Sequence, residues 1–280
     1  MCGTCGCGEA GVRVTELGAP GHDHRHDHGG HGHAHPHEHA PGNAHPHEHA
    51  PGNGHGHVVA LEEDILGAND ALAAENRRVL TERGVLAVNL MSSPGSGKTT
   101  LLVRTLTDVG AELGMSVVEG DQETLLDAER IGATGTRVVQ VNTGAGCHLD
   151  ATMLARAMTA LAPSPGSVMV VENVGNLVCP ALFDLGEAAR VVVMSVTEGA
   201  DKPLKYPHMF RTADLVLLNK VDLLPYVDFD VATWTAAVER VRPGVEVLSV
   251  SATRGDGLDT WYAWLRAGIG SRRDGAATSA

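Results

Sequence analysis

One stretch of the chain carries residue types and spacing suited to holding a phosphate: Ser92-Ser93-Pro94-Gly95-Ser96-Gly97-Lys98-Thr99. Gly95 and Gly97 lack a Cβ. The backbone through Ser96 can therefore curl round an anion with its N–H groups inward, and a helix start adds partial positive charge. Lys98 is placed to reach the β- and γ-phosphates, the Thr99 hydroxyl to ligate Mg²⁺, and Thr100 to add a further nucleotide contact. Ser92 stands where such a loop usually has glycine, and a positive φ there would carry strain.

Further along, Glu172-Asn173-Val174-Gly175 sits where a nucleotide switch carries Asp-x-x-Gly. There the acid steers Mg²⁺ through water and the glycine N–H meets the γ-phosphate. Glutamate lengthens that arm by a methylene. Asn219-Lys220-Val221-Asp222 reads as a guanine selector. The Asp222 carboxylate would accept from N1–H and the 2-amino group, Asn219 would meet N7, and the Lys220 stem would cover the base. Such a site rejects adenine because its buried carboxylate would be left unpaired. Ser251 and Ala252 supply a short loop whose backbone suits guanine O6. Asp121 is a candidate for Mg²⁺ or the attacking water, or else a helix N-cap.

A second group of residues suits transition metals. Cys2-x-x-Cys5-x-Cys7, interleaved with glycine, can converge on one soft or borderline ion, although a redox-active or merely flexible cysteine tail has the same pattern. Residues 22 to 57 hold 14 of the 16 histidines: His22, His24, His26, His28, His31, His33, His35, His37, His39, His45, His47, His49, His55 and His57. A ten-residue phrase beginning at Ala34 is repeated unchanged from Ala44. Neutral imidazoles suit Ni²⁺ and Zn²⁺, and the interspersed Asp and Glu add oxygen donors. An expression tag or a solvated linker would share the composition, but a tag is normally a plain run. Cys147 and His148 adjoin at a loop-to-helix junction and Cys179 follows Gly175 by four residues. The pair either ligates an ion with further help or is a buried thiol beside a capping imidazole.

These residues need a scaffold of alternating strands and helices. Apolar runs at 85–91, 115–120, 137–141, 167–172, 190–196, 214–218 and 245–250 read as strands, with helical patterns following at 100–106, 151–161 and 258–265. That alternation predicts an α/β, three-layer P-loop fold with a mostly parallel sheet. Leu61, Ile65, Leu66, Asn69, Leu72, Asn76, Val79 and Leu80 recur at a helical period and predict a preceding helix that packs on the sheet. Residues 1–57, with little to bury, predict a disordered metal-binding tail; 58–270 form the nucleotide domain and 271–280 a frayed end.

The 280 residues carry a net charge of −13 with no basic cluster, which argues against nucleic acid or anionic membrane as partner and suits a protein that handles cations. The N-terminus lacks a basic and apolar signal, and no stretch is long and apolar enough for a bilayer, so a cytoplasmic setting is expected. Five cysteines split between two regions suit metal ligation better than disulfides in such a setting.

Taken together, the phosphate loop, Glu-x-x-Gly, Asn-Lys-x-Asp and Ser-Ala loop in this order, joined to the two sets of metal ligands, closely resemble the HypB family of hydrogenase nickel-incorporation GTPases. The resemblance implies GTP hydrolysis and a homodimer formed on nucleotide or metal binding; with no arginine finger or catalytic glutamine evident in the sequence, slow intrinsic turnover is expected. It implies a switch-linked Ni²⁺ or Zn²⁺ site at Cys147, His148 and Cys179, and a tight nickel site at Cys2, Cys5 and Cys7. It further implies nickel storage in the histidine tract and delivery to the [NiFe]-hydrogenase large subunit with an accessory protein. Urease-type nickel GTPases share the domain but carry a Cys-Pro-His motif absent here; a metal store gated by GTP and a zinc-distributing GTPase are weaker alternatives.

Overall fold

The computed structural model describes residues 13–17, 54–121, 125–144 and 146–278. Eight strands form one sheet: β1 (Arg13–Leu17), β2 (Leu86–Ser92), β3 (Ser116–Asp121), β4 (Arg137–Asn142), β5 (Val168–Glu172), β6 (Ala189–Ser195), β7 (Leu215–Asn219) and β8 (Glu246–Ser249). Their order is β1-β4-β3-β5-β2-β6-β7-β8, and every neighbouring pair is parallel except β1 with β4. The helices are α1 (Gly54–Glu82), α2 (Lys98–Leu113), α3 (Leu126–Gly132), α4 (Ala151–Leu161), α5 (Cys179–Leu182), α6 (Lys202–Lys205), α7 (Pro207–Arg211), α8 (Val231–Val241) and α9 (Leu258–Thr278).

Except at the edge strand β8, the parallel strands are buried on both faces, which is why they read as unbroken apolar runs. Leu101, Leu106 and Trp261 pack over one side of the sheet, and Leu149, Leu154, Phe210 and Trp234 over the other. β2 lies between β5 and β6, so the loop after β2 opens into the crevice at the carboxyl ends of the sheet, where ligands of such folds bind. Among the described residues, no helix is long and apolar enough to cross a membrane.

Three boundaries differ from the sequence reading. β1 lies inside the segment expected to be disordered: its backbone completes the otherwise open edge of β4, with Arg13 opposite Asn142 and Leu17 opposite Val138. Helix α1 begins at Gly54, ahead of the apolar period that starts at Leu61, and takes in His55 and His57. At the other end α9 continues to Thr278 rather than fraying, because nothing in 266–278 breaks a helix outright and Arg273 donates to Gly166 O at 2.9 and 2.7 Å. Ser92 ends β2 in full burial. Among the described non-glycine residues positive φ occurs at Ala162 and Lys220, so Ser92 carries no left-handed strain.

Candidate functional site

The phosphate loop is shaped as its glycines require. Gly95 and Gly97 adopt φ of 77° and 94°, and a Cβ on Gly97 would lie 2.6 Å from Asn219 Nδ2. Only glycine fits there, because the conformation and the space both exclude a side chain. Lys98 and Thr99 open α2, where the first N–H groups of the helix are unpaired within it. Ser93 Oγ donates a short hydrogen bond to Glu198, whose other oxygen accepts from Ser195 N–H at 3.0 Å. Glu198 thus holds the start of the loop to the end of β6. An acid three residues past a strand's carboxyl edge was the only hint of it in the sequence.

Thr99 Oγ1 lies 2.7 Å from Glu172 Oε1 and 3.0 Å from Asp127 Oδ2. Asp127 was not singled out from the sequence, since an acid in a helix's first turn is ordinarily explained by the helix dipole. Asp121 ends β3 on the same edge, and its backbone carbonyl accepts from Thr143 N–H at 2.9 Å. It is not a helix cap, because α3 starts at Leu126 behind Leu125. Burial pushes the Glu172 carboxyl up, opposed by Lys98 and by the Thr99 bond. Burial, with Glu172 and Asp121 nearby, pushes Glu119 up to about 8. Glu172 Oε2 and Glu119 Oε2 are both buried without a hydrogen-bond partner. A cluster of acids around a threonine hydroxyl, with one oxygen unpaired, has the hard-donor chemistry of a hydrated Mg²⁺ site.

The residues expected to select the base are built into the same frame. Asn219 Nδ2 donates to Ser96 O at 3.0 Å, and its Oδ1 accepts from Ala252 N–H at 3.2 Å. Asn219 therefore fixes the distance between the phosphate loop and the Ser251–Ala252 loop. Lys220, in the left-handed region at φ 62°, turns its chain back over the loop, and Nζ donates to Gly95 O at 2.6 Å. Ser251 Oγ donates to Asp222 Oδ1 at 2.6 Å, orienting the carboxylate.

Cys147, His148 and Cys179 come together, with one ligand atom of each lying within 4.8 Å of the others. The two cysteines form no disulfide; their sulfurs are 2.8 Å apart, and Cys147 Sγ is 3.7 Å from His148 Nδ1. His148 does not cap α4; Asp150 does, accepting from Met153 N–H at 2.7 Å. His148 stacks on Phe183 at 3.9 Å, and burial lowers its pKa against the pull of Asp150. Two sulfurs and a neutral imidazole are donors for a borderline or soft ion.

The cysteine-histidine cluster and the phosphate loop are joined by residues 172–179. Asn173 Oδ1 accepts from Leu149 N–H at 3.3 Å, and Asn176 Nδ2 reaches Cys147 O at 3.5 Å. A Cβ on Gly175 would lie 3.1 Å from Pro94 Cα, so this segment is seated directly against the phosphate loop. Of the other candidates, Cys2, Cys5, Cys7 and the twelve histidines from His22 to His49 lie outside the described residues.

Known proteins resemble this chain in sequence and fold. The CobW/HypB/UreG nucleotide-binding domain matches residues 86–249. The hydrogenase maturation factor HypB of Rhizobium leguminosarum bv. viciae is 58% identical over 215 residues, covering 77% of this chain and 72% of that protein. HypB of Archaeoglobus fulgidus superposes with a TM-score of 0.69 at 39% identity, covering 73% of this chain and 100% of that one. HypB from Helicobacter pylori, solved in complex with nickel, superposes at 0.68 with 37% identity over 74% and 96%. With matches of this length and a phosphate loop, base selector and cysteine-histidine cluster in one frame, the chain belongs to the HypB family of P-loop GTPases.

Proposed function

We propose that this chain is a GTP-hydrolysing nickel carrier for hydrogenase maturation, which stores nickel and delivers it to the large subunit of a [NiFe]-hydrogenase together with an accessory protein. The observation that carries this reading is the continuous hydrogen-bonded and packed path from Thr99 through Glu172, Asn173, Gly175 and Asn176 to Cys147 and Cys179. The relatives' names, hydrogenase maturation factor, and the nickel complex of one of them point the same way.

In this reading Gly95, Ser96, Gly97, Lys98, Thr99 and Thr100 hold the phosphates, and Asn219, Lys220, Asp222, Ser251 and Ala252 hold guanine. Thr99, Glu172, Asp127 and Asp121 are the residues that would hold Mg²⁺. When bound, that ion neutralises charge on the β- and γ-phosphates. Gly175, next to Pro94, senses the γ-phosphate. Loss of that group loosens the 172–179 segment and moves Cys179 relative to Cys147 and His148, which changes the grip on the cargo. Ni²⁺ is the cargo and Zn²⁺ its competitor. Cys2, Cys5 and Cys7 form a separate tight nickel site, and the histidine tract is the store. Val178 and Leu182, 50% and 48% exposed beside Cys179, are apolar surface that a second copy would cover in a nucleotide-dependent dimer.

Nickel affinity measured with GDP and with a non-hydrolysable GTP analogue tests the reading. A difference between the two supports coupling, and equal affinities remove it.

A further inference from the structure

Two asparagines on α1 are buried, Asn69 at 7% and Asn76 at 4% exposure, although most of the helix surface around them is polar and solvent-facing. They lie seven residues apart, two turns along one face. Each amide bridges the same two chain segments. Asn69 Oδ1 accepts from Ala151 N–H at 2.9 Å while its Nδ2 donates to Asp184 O at 2.8 Å. Asn76 Nδ2 donates to Ala151 O at 2.8 Å and to Leu185 O at 3.0 Å. Ala151 starts α4 directly after Cys147 and His148, and Asp184 and Leu185 follow α5, which Cys179 opens. Arg77 adds a two-oxygen ion pair to Asp184, both contacts at 2.7 Å. Gly186, at φ +90°, lies so close that a Cβ would meet Ala73 O at 2.4 Å. The loop after α5 is therefore pressed flat against α1 and against the start of α4.

We propose that Asn69 and Asn76 are positioning residues for the Cys147, His148 and Cys179 site: α1 staples the two metal-bearing segments at ligand spacing. This rests on the nickel reading of that site. The asparagines touch no ligand; they fix the backbone on either side of the cluster, and misplaced supports of metal ligands typically weaken affinity by about 10- to 100-fold.

The test uses the full chain with Cys2, Cys5 and Cys7 changed to alanine, so that thiolate-to-Ni²⁺ absorption reports Cys147 and Cys179. In this parent Cys147→Ala must abolish most of the band; if the band is unchanged, the nickel reading fails before the staple is tested. Asn76→Ala removes both its donations, and Asn69→Asp keeps the acceptor for Ala151 N–H but loses the donor. Arg78→Ala, on the exposed face, is the control. The expected result is a shifted band and Ni²⁺ binding weakened about tenfold or more, with fluorescent GDP binding and the Arg78 control unchanged. Unchanged Ni²⁺ affinity and band in both variants overturn the staple, as does a parallel loss of metal binding, GDP binding and thermal stability. If Asn76→Ala does not fold, Asn69→Asp alone decides.

Discussion

Thr99 Oγ1 donates to Glu172 Oε1 at 2.7 Å, joining the phosphate loop to the strand end that leads into Cys179. One bond thus ties the hydroxyl proposed to hold Mg²⁺ to the segment that carries a proposed metal ligand. Glu172→Gln keeps an acceptor oxygen but removes the charge. GTP turnover is expected to fall on the order of 10²-fold, the scale of an ångström's misplacement in a reacting centre. GDP binding should change little, and Ni²⁺ affinity should cease to depend on nucleotide. Single-turnover phosphate release and nickel titration check this; turnover at the wild-type rate would remove Glu172 from the chemistry.

Asp222 is held by Ser251 Oγ at 2.6 Å, so its carboxylate is aimed before any base arrives. Asp222→Asn offers guanine N1–H an amide that can accept only once. A donor left unpaired costs about 1–3 kcal/mol, or roughly 10- to 100-fold in affinity for GTP. Xanthosine triphosphate, with a carbonyl in place of the 2-amino group, should gain what GTP loses. Competition between the two nucleotides is the measurement, and an unchanged preference for GTP would move base selection elsewhere.

The parts legible from sequence were those with a strong local cause. Strands buried on both faces announce themselves as Val- and Leu-rich runs, and loops that cradle phosphate need glycine at fixed places. What stayed hidden depends on partners distant in the chain. β1 is a short alternation whose value lies in the β4 edge it covers. Asp127 looks like a dipole-friendly acid until Thr99 is found 3.0 Å away. Asn69 and Asn76 fell on a helical period without revealing that they serve two loops, and Leu72, on the same period, is 43% exposed. The tight gathering of Cys147, His148 and Cys179 followed from no spacing rule, since Cys147 and Cys179 are 32 positions apart.

The cluster of Cys147, His148 and Cys179 predicts a division of labour among its three members. Cys147→Ala or Cys179→Ala, in the background lacking Cys2, Cys5 and Cys7, should abolish most thiolate-to-Ni²⁺ absorption and weaken binding at least about tenfold. His148→Ala should retain the band with lower affinity, because both sulfurs remain. Total metal analysis alone would miss this, because ions held by the proposed histidine store would add to the total without thiolate absorption. Absence of any thiolate band in that background before Cys147 or Cys179 is changed would place nickel elsewhere.

Glu119 predicts an unusual pH response. It is 3% exposed on β3, its Oε2 has no partner, and burial together with Glu172 and Asp121 raises its carboxyl from 4.5 to about 8. Between those values the folded chain holds a proton that the unfolded chain releases. The stability this gives is complete below the unfolded value of 4.5 and is lost as pH rises through about 8. Glu119→Gln mimics the protonated acid at every pH and removes the dependence. Urea unfolding of the nucleotide-free protein at several pH values should therefore show the wild type falling behind the variant. The gap should widen by up to about 1.4 kcal/mol per pH unit inside the window and level off above it. Parallel curves would mean that Glu119 is already ionised in the fold, with its charge compensated by a neighbour.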